Sequence, residues 1–263
     1  VSTSNSAPNA PVDLLNDAVA FLREAGEFTL QWFGAAQLDV ITKNDGTPVT
    51  EADQGAERLL RTRIAEKFPT DTVRGEEEDD VIGTSTRTWI IDPIDGTKAF
   101  VRGVPLYSNL LGIVDEHGPL IGVINLPALN TTVYAGRGLG CFRNGEKVTV
   151  SKQTDPRKSV LSSSSFTHWP EESLLALKRK GFELRTWGDG YGYAMVACGA
   201  IEAMIDPEVA LWDLAPLPVI MQEAGGSFSK TDGQGVVLQP GNRFSAVATN
   251  GYLHDEIIMS YNA

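Results

Sequence analysis

The run Trp89-Ile90-Ile91 leads straight into Asp92-Pro93-Ile94-Asp95-Gly96-Thr97, and this junction restricts the fold more than any other stretch. Three apolar residues in a row read as a strand entering a core, where ionised side chains are costly unless something compensates them. A fold that accepts the sequence must bury the strand and open its end where two carboxylates can be neutralised. A tight turn whose aspartates cap backbone N–H groups meets that requirement, since Asp, Pro and Gly are ordinary turn residues. A cation site whose ligands project from a strand end meets it too.

The rest of the chain surrounds this junction with alternating textures. Residues Leu15, Ala18, Val19, Leu22 and Ala25 recur at helical spacing and predict an amphipathic helix over 12–32. Thr50 followed by Asp53 resembles a capping box for a second helix, closed at Pro69. From Trp89 to Val150, short apolar stretches separated by "DEHG", "NLPALN" and "RNGE" predict antiparallel sheet. Beyond Ser151 the order becomes strand (159–165), helix (171–180), strand (182–187) and helix (191–199). A strand over 202–206, one helix over 213–226, a strand over 245–250 and a last short helix complete it. The expectation is a layered α/β fold with mixed and antiparallel sheets and no internal repeat. With 263 residues, 42% of them hydrophobic, the chain can bury a sizeable core. We divide it into a disordered tail (1–11), an N-terminal α+β half (12–150) and a C-terminal α/β half (151–263).

Charge narrows the function. A formal net charge of -12 argues against nucleic-acid or anionic-membrane partners, and an anionic substrate would need cations to meet it. The two cysteines, Cys141 and Cys198, lie outside any C-x-x-C pattern, so no disulfide framework or thiolate zinc site is expected. The start lacks a basic, then apolar, leader, and no run of about 18 apolar residues occurs. The expected location is cytoplasmic. His117, His168 and His254 are scattered, and the serine run 162–165 precedes no nucleophile-elbow pattern, which disfavours a serine hydrolase.

Four acidic clusters fall at predicted ends of elements: Asp53, the Gly75-Glu76-Glu77-Glu78 run, the Asp92 and Asp95 pair, and Asp213 after Trp212. Each has a plain reading as a helix cap, a solvated loop or a turn. Each also suits a hard divalent cation, which wants several oxygen ligands, among them the Ile94 carbonyl. Beside them, the N–H groups of Gly96 and Thr97 could face a phosphate from the start of a helix or a nest.

In this order and spacing, "GEE" at 75–77, "DPIDGT" at 92–97 and "WDLAPLPVIMQEAGG" at 212–226 resemble the inositol monophosphatase superfamily of Mg²⁺-dependent, lithium-sensitive phosphatases. The resemblance spans roughly residues 12–260. It implies an α-β-α-β-α sandwich, usually a homodimer, acting on a small-molecule phosphate ester. It further implies that Glu76, Asp92 and the Ile94 carbonyl hold one Mg²⁺ and that Asp92, Asp95 and Asp213 hold a second. Glu76 would also assist a third ion through water, with Glu77 behind it. The N-terminal half would then carry most of the ligands, and the C-terminal half would carry Asp213 and the substrate pocket. Glu76, Asp53 and Thr97 would be the catalytic residues, the Asp53–Thr97 pair orienting the attacking water.

After Thr97 the chain reads "KAFVRGVPLYSNLLGIV", and together with "WGDGYGYAMVACGAIEAMIDP" at 187–207 it looks like the bacterial histidinol-phosphate phosphatase branch. That likeness implies substrate contacts from Asp95, Asp189, Gly190, Tyr193, Asp206 and Arg185. A carboxylate pair suits a protonated amine better than a neutral polyol. Tyr191, Tyr193 and Trp187 could pack on an imidazole. Lys98 and Arg102 could guide phosphate or cross a subunit interface. Alternatives are an inositol monophosphatase, a 3′-phosphoadenosine 5′-phosphate phosphatase, which shares a lysine and phenylalanine near Lys98 and Phe100, and a non-catalytic acidic cation-binding module.

Overall fold

The computed structural model describes residues 7–35, 40–42, 48–239, 241 and 243–263. Of the tail expected over 1–11, residues 1–6 lie outside the described residues, while Ala10 is buried and its N–H donates to the Arg137 carbonyl. The first helix, α1 (Val12–Leu30), buries Leu14, Leu15, Ala18, Val19, Leu22 and Ala25 as its spacing predicts. Strands β1 (Val40–Thr42) and β2 (Pro48–Thr50) pair antiparallel. Thr50 then caps α2 (Glu51–Lys67) in the expected reciprocal box with Asp53.

Seven strands build the first sheet, in the order in which the chain makes them. They are β3 (Thr72–Gly75), β4 (Thr88–Asp95), β5 (Ser108–Asp115), β6 (Gly118–Leu126), β7 (Thr131–Gly136), β8 (Gly140–Arg143) and β9 (Glu146–Val148). All neighbours are antiparallel except β3 and β4, which run parallel. The short helix α3 (Thr97–Phe100) follows β4. The second sheet holds β10 (Val160–Ser162), β11 (Glu183–Arg185), β12 (Ala203–Val209), β13 (Ser227–Ser229) and β14 (Phe244–Thr249) in the order β11-β10-β12-β14-β13. Its helices are α4 (Glu171–Lys180), α5 (Asp189–Ala197), α6 (Leu211–Leu214), α7 (Leu217–Glu223) and α8 (His254–Tyr261).

Burial sorts these elements into five layers. Alternate residues of the central strands face opposite cores: Ile121 and Val123 of β6 join α1 and α2, whereas Ile124 and Leu126 join α5 and α7. The second sheet repeats the pattern, with Met204, Ala246 and Ala248 facing α5 and α7, and Ile205 and Val247 facing α4 and α8. Both sheets are therefore covered on both sides, which is why their strands read as continuous apolar runs rather than a clean alternation. The fold is an α-β-α-β-α sandwich. The chain passes from one sheet to the other between Val148 and Val160, on either side of Ser151, and one apolar cluster draws on both halves.

Two local features depart from the sequence reading. The single helix expected over 213–226 is two, because Pro216 interrupts it; proline has no N–H and crowds the preceding turn. The break is seated on the first sheet by Gly112 and Gly122, where a Cβ would meet Ala215 backbone at 2.6 Å and the Pro216 carbonyl at 2.2 Å. The short strands β1, β2, β3 and β13 were not expected either. Among the described residues no helix is long and apolar enough to cross a membrane.

Candidate active site

Strand β4 does not turn at Asp92. It stays paired with β5 through Asp95, and the register moves from Asp92 opposite Leu110 to Asp95 opposite Ser108, so β4 carries one extra residue. Residues three apart on a regular strand face opposite sides; the bulge cancels that alternation and lets both carboxylates reach one site. Gly96 then takes a left-handed φ of 78° and starts α3 at Thr97.

Each carboxylate is fixed through one oxygen by its own chain. Asp92 Oδ1 accepts the Ile94 N–H at 3.0 Å. Asp95 Oδ2 accepts the Ser108 hydroxyl at 2.6 Å and the Gly190 N–H at 2.5 Å. Asp213 Oδ2 accepts the Ala210 N–H at 2.9 Å, delivered by the α6 turn that Gly112 and Gly122 seat. Asp92 and Asp213 therefore do cap nearby N–H groups, but in a bulged strand and a helix start, and the tight turn considered for 92–97 is not formed. One ligand oxygen from each of Asp92, Asp95 and Asp213 lies within 4.8 Å of the others.

Such a cluster repels itself. Burial, then Glu76, Asp95 and Asp213, pushes the Asp92 carboxyl well above its usual range. Burial, then Asp189 and Asp213, does the same to Asp95, and burial raises Asp213. Asp189 is pushed up to about 6 by burial and by Asp206 and Asp213. An oxygen-only donor set this crowded fits a hard divalent cation, whose charge would favour the ionised carboxylates against their burial and mutual repulsion.

Glu76 reaches the same cleft from the loop after β3. A residue that sequence reasoning missed shapes that loop. Glu57, fully buried on α2, accepts the N–H groups of Glu77 (2.8 Å) and Glu78 (3.0 Å) and the Arg61 Nε–H (2.9 Å). Gly75 makes room, since a Cβ there would lie 2.2 Å from Glu57 Oε1. Only a Glu at a buried helical position, nineteen residues before Glu76, could have signalled this.

The cleft, about 730 Å³, is lined by Glu76, Asp92, Ile94, Asp95, Gly96, Thr97, Asp189 and Asp213. Arg74 and Arg243, which carry no motif in the sequence, also line it, as do Ser164 and Ser165 of the serine run. The Thr97 hydroxyl donates to the Ile94 carbonyl at 3.0 Å, while Asp53 Oδ2 accepts the Thr50 N–H (2.8 Å) and hydroxyl (2.5 Å). Thr97 has one hydroxyl proton, and it is aimed at the Ile94 carbonyl.

Four expected substrate contacts stand differently. Asp206 is buried beneath Ser164, whose N–H (2.8 Å) and hydroxyl (2.9 Å) it accepts, together with the Tyr193 hydroxyl at 2.7 Å. It is consumed by its own neighbours instead of facing the cleft, and Tyr193 is consumed with it. Gly190 lies behind Asp95 as a backbone donor. Arg185 is exposed, pairs with Glu183 and stacks over Trp187 outside the cleft lining.

Comparison with known proteins fits this architecture. The model of the inositol monophosphatase family matches residues 12–262. The histidinol-phosphatase of Mycobacterium tuberculosis is 39% identical, over 94% of this chain and 96% of that protein. The histidinol-phosphatase of Chlorobaculum parvum is 40% identical, over 84% of this chain and 89% of its own. Among solved structures, the IMPase of Thermotoga maritima superposes with a TM-score of 0.86 at 30% identity, covering 95% of this chain and 97% of that one.

Proposed function

The chain belongs to the inositol monophosphatase family and is a phosphoric monoester hydrolase, and we propose that it hydrolyses L-histidinol phosphate to L-histidinol and phosphate in a Mg²⁺-dependent reaction, as a homodimer. The observation that carries the substrate reading is Asp189, a carboxylate in the cleft beside the Asp92–Asp95–Asp213 cluster. A leaving group with a protonated amine is matched by that charge, whereas a neutral polyol is not. The similarity to two histidinol-phosphatases supports the same choice.

Two or three Mg²⁺ ions would be held by Glu76, Asp92, the Ile94 carbonyl, Asp95 and Asp213. When bound, the ions supply the positive charge that admits the phosphate and stabilises charge on the transferring phosphoryl group. The chain's own groups do the positioning. The N–H groups of Gly96 and Thr97 donate to phosphate oxygens. The Thr97 hydroxyl orients the attacking water, turning from the Ile94 carbonyl toward Asp53, which Thr50 holds rigid. Asp189 receives the ammonium of the leaving alcohol.

The test is a substrate comparison at saturating Mg²⁺. L-Histidinol phosphate should be hydrolysed with a kcat/KM at least about tenfold above inositol 1-phosphate and 3′-phosphoadenosine 5′-phosphate, the difference one charge-assisted contact supports. Preference for either of the latter would overturn the substrate and leave the phosphatase.

A further inference from the structure

Asp189 is held in an unusual way. It has a φ of 55°, the left-handed region that non-glycine residues rarely occupy, and it stands between two glycines. A Cβ on Gly188 would meet the Ser164 Cα at 2.2 Å, and one on Gly190 would meet the Ser108 hydroxyl at 2.3 Å and Asp95 Oδ2 at 3.0 Å. The segment is squeezed between the serine run after β10 and the end of β4, and its one side chain lies against Gly96, where a Cβ would come within 2.8 Å of Asp189 Oδ2. Backbone strain of this kind persists only where the surroundings over-determine it.

What over-determines it is a chain of hydrogen bonds from a buried carboxylate. Ser164 Oγ accepts the Asp189 N–H at 2.8 Å and donates to Asp206 Oδ2 at 2.9 Å. Asp206 also accepts the Ser164 N–H and the Tyr193 hydroxyl, and the Ser163 hydroxyl lies 3.1 Å from its Oδ1. Asp206 thereby fixes the backbone and side chain of Ser164 together, and Ser164 fixes the peptide that aims Asp189. Ser163 is tied on its far side by the Trp169 Nε1–H at 2.9 Å.

We infer that Asp206, Ser164 and Tyr193 form a positioning network that sets the selectivity of the site for a cationic leaving group by holding the Asp189 carboxylate in the cleft, and that Asp206 itself does not touch the substrate. The inference rests on the proposed substrate reading and assigns its charge recognition to one carboxylate supported by another. It also gives a role to the serine run 162–165, which has no nucleophilic pattern: its hydroxyls serve as two-way hydrogen-bond links, able to accept from Asp189 and donate to Asp206 at once.

The test is a double-mutant cycle on the full chain with Mg²⁺, reading the ratio of kcat/KM for L-histidinol phosphate to that for glycerol 2-phosphate, an uncharged leaving group. Asp189→Asn keeps a residue that tolerates positive φ and should lower the ratio about tenfold. Ser164→Ala should lower it by a similar factor, Ser164→Thr should restore most of it, and Asp189→Asn with Ser164→Ala should be no worse than Asp189→Asn alone. Asp206→Asn, which turns an amide N–H₂ toward donors, should behave like Ser164→Ala; if it fails to fold, the serine pair decides. Equal losses on both esters, or additive losses in the double variant, would overturn the network. If the wild type instead prefers inositol 1-phosphate, the substrate reading falls, and the same cycle on that ester still judges the network: coupling upholds it and additivity rejects it.

Discussion

Asp95 is both braced and open: one of its oxygens accepts the Ser108 hydroxyl and the Gly190 N–H, while the residue still joins Asp92 and Asp213 in a group of carboxylate oxygens within 4.8 Å of one another. Its replacement should therefore separate function from folding. Asp95→Asn is expected to lower kcat at least about a hundredfold, as losing one preorganised charge in such a site does, while the metal-free protein keeps or gains thermal stability because one repelling charge is gone. The sign with pH follows from the raised carboxyls. Without cations, Asp92, Asp95 and Asp213 bind protons in the folded chain at pH values where the unfolded chain, with carboxyls near about 4, has released them. Metal-free stability should then be fully present below about pH 4 as far as these groups are concerned, and should fall as pH rises through their elevated folded values. Adding Mg²⁺ should flatten that fall, and Asp95→Asn should make it shallower. Thermal melts in chelator and in Mg²⁺ across pH 4–8 check this; a chelated wild type that grows steadily more stable toward pH 8 would contradict it.

At the scale of elements, what the sequence made legible was whatever a local period or a local motif encodes. The α2 cap, the extent of α4 and the apolar centres of β4 to β6 could all be read from neighbouring residues. What could not be read depends on contacts across the fold. The bulge between Asp92 and Asp95 shows only against β5, the break at Pro216 is fixed by two glycines on another sheet, and Asp206 looked available because its partners, Ser164 and Tyr193, are distant in sequence. Glu57 is the sharpest case. It sits on a helix whose period needs only an apolar residue there, yet it holds the Glu76 loop by two backbone N–H groups. Glu57→Gln keeps the shape and replaces one acceptor by a donor that faces those N–H groups. We expect the Mg²⁺ concentration for half-maximal activity to rise about tenfold or more, the usual cost of disturbing a ligand's support, with calorimetric Mg²⁺ affinity falling in parallel. Unchanged Mg²⁺ affinity would reduce Glu57 to a scaffold role.

Over the whole molecule, five layers bring together groups that no single element could supply: Asp92 and Asp95 from β4, Glu76 from the loop after β3, Asp213 from α6 and Asp189 from the start of α5. Both sheets and the helices between them meet at this cleft, so carboxylates distant in sequence line one site, and the catalytic contribution expected of such a site is positioning and charge stabilisation. The net charge of -12 sharpens the point, since a phosphate ester approaching clustered carboxylates is repelled until cations intervene. The most direct measurement is the initial rate of phosphate release from L-histidinol phosphate by exhaustively chelated enzyme, before and after Mg²⁺ is restored. A two-ion site should give no release above background in chelator and full turnover once Mg²⁺ is added; full turnover in the chelated enzyme, with Mg²⁺ adding nothing, would rule out metal-dependent hydrolysis.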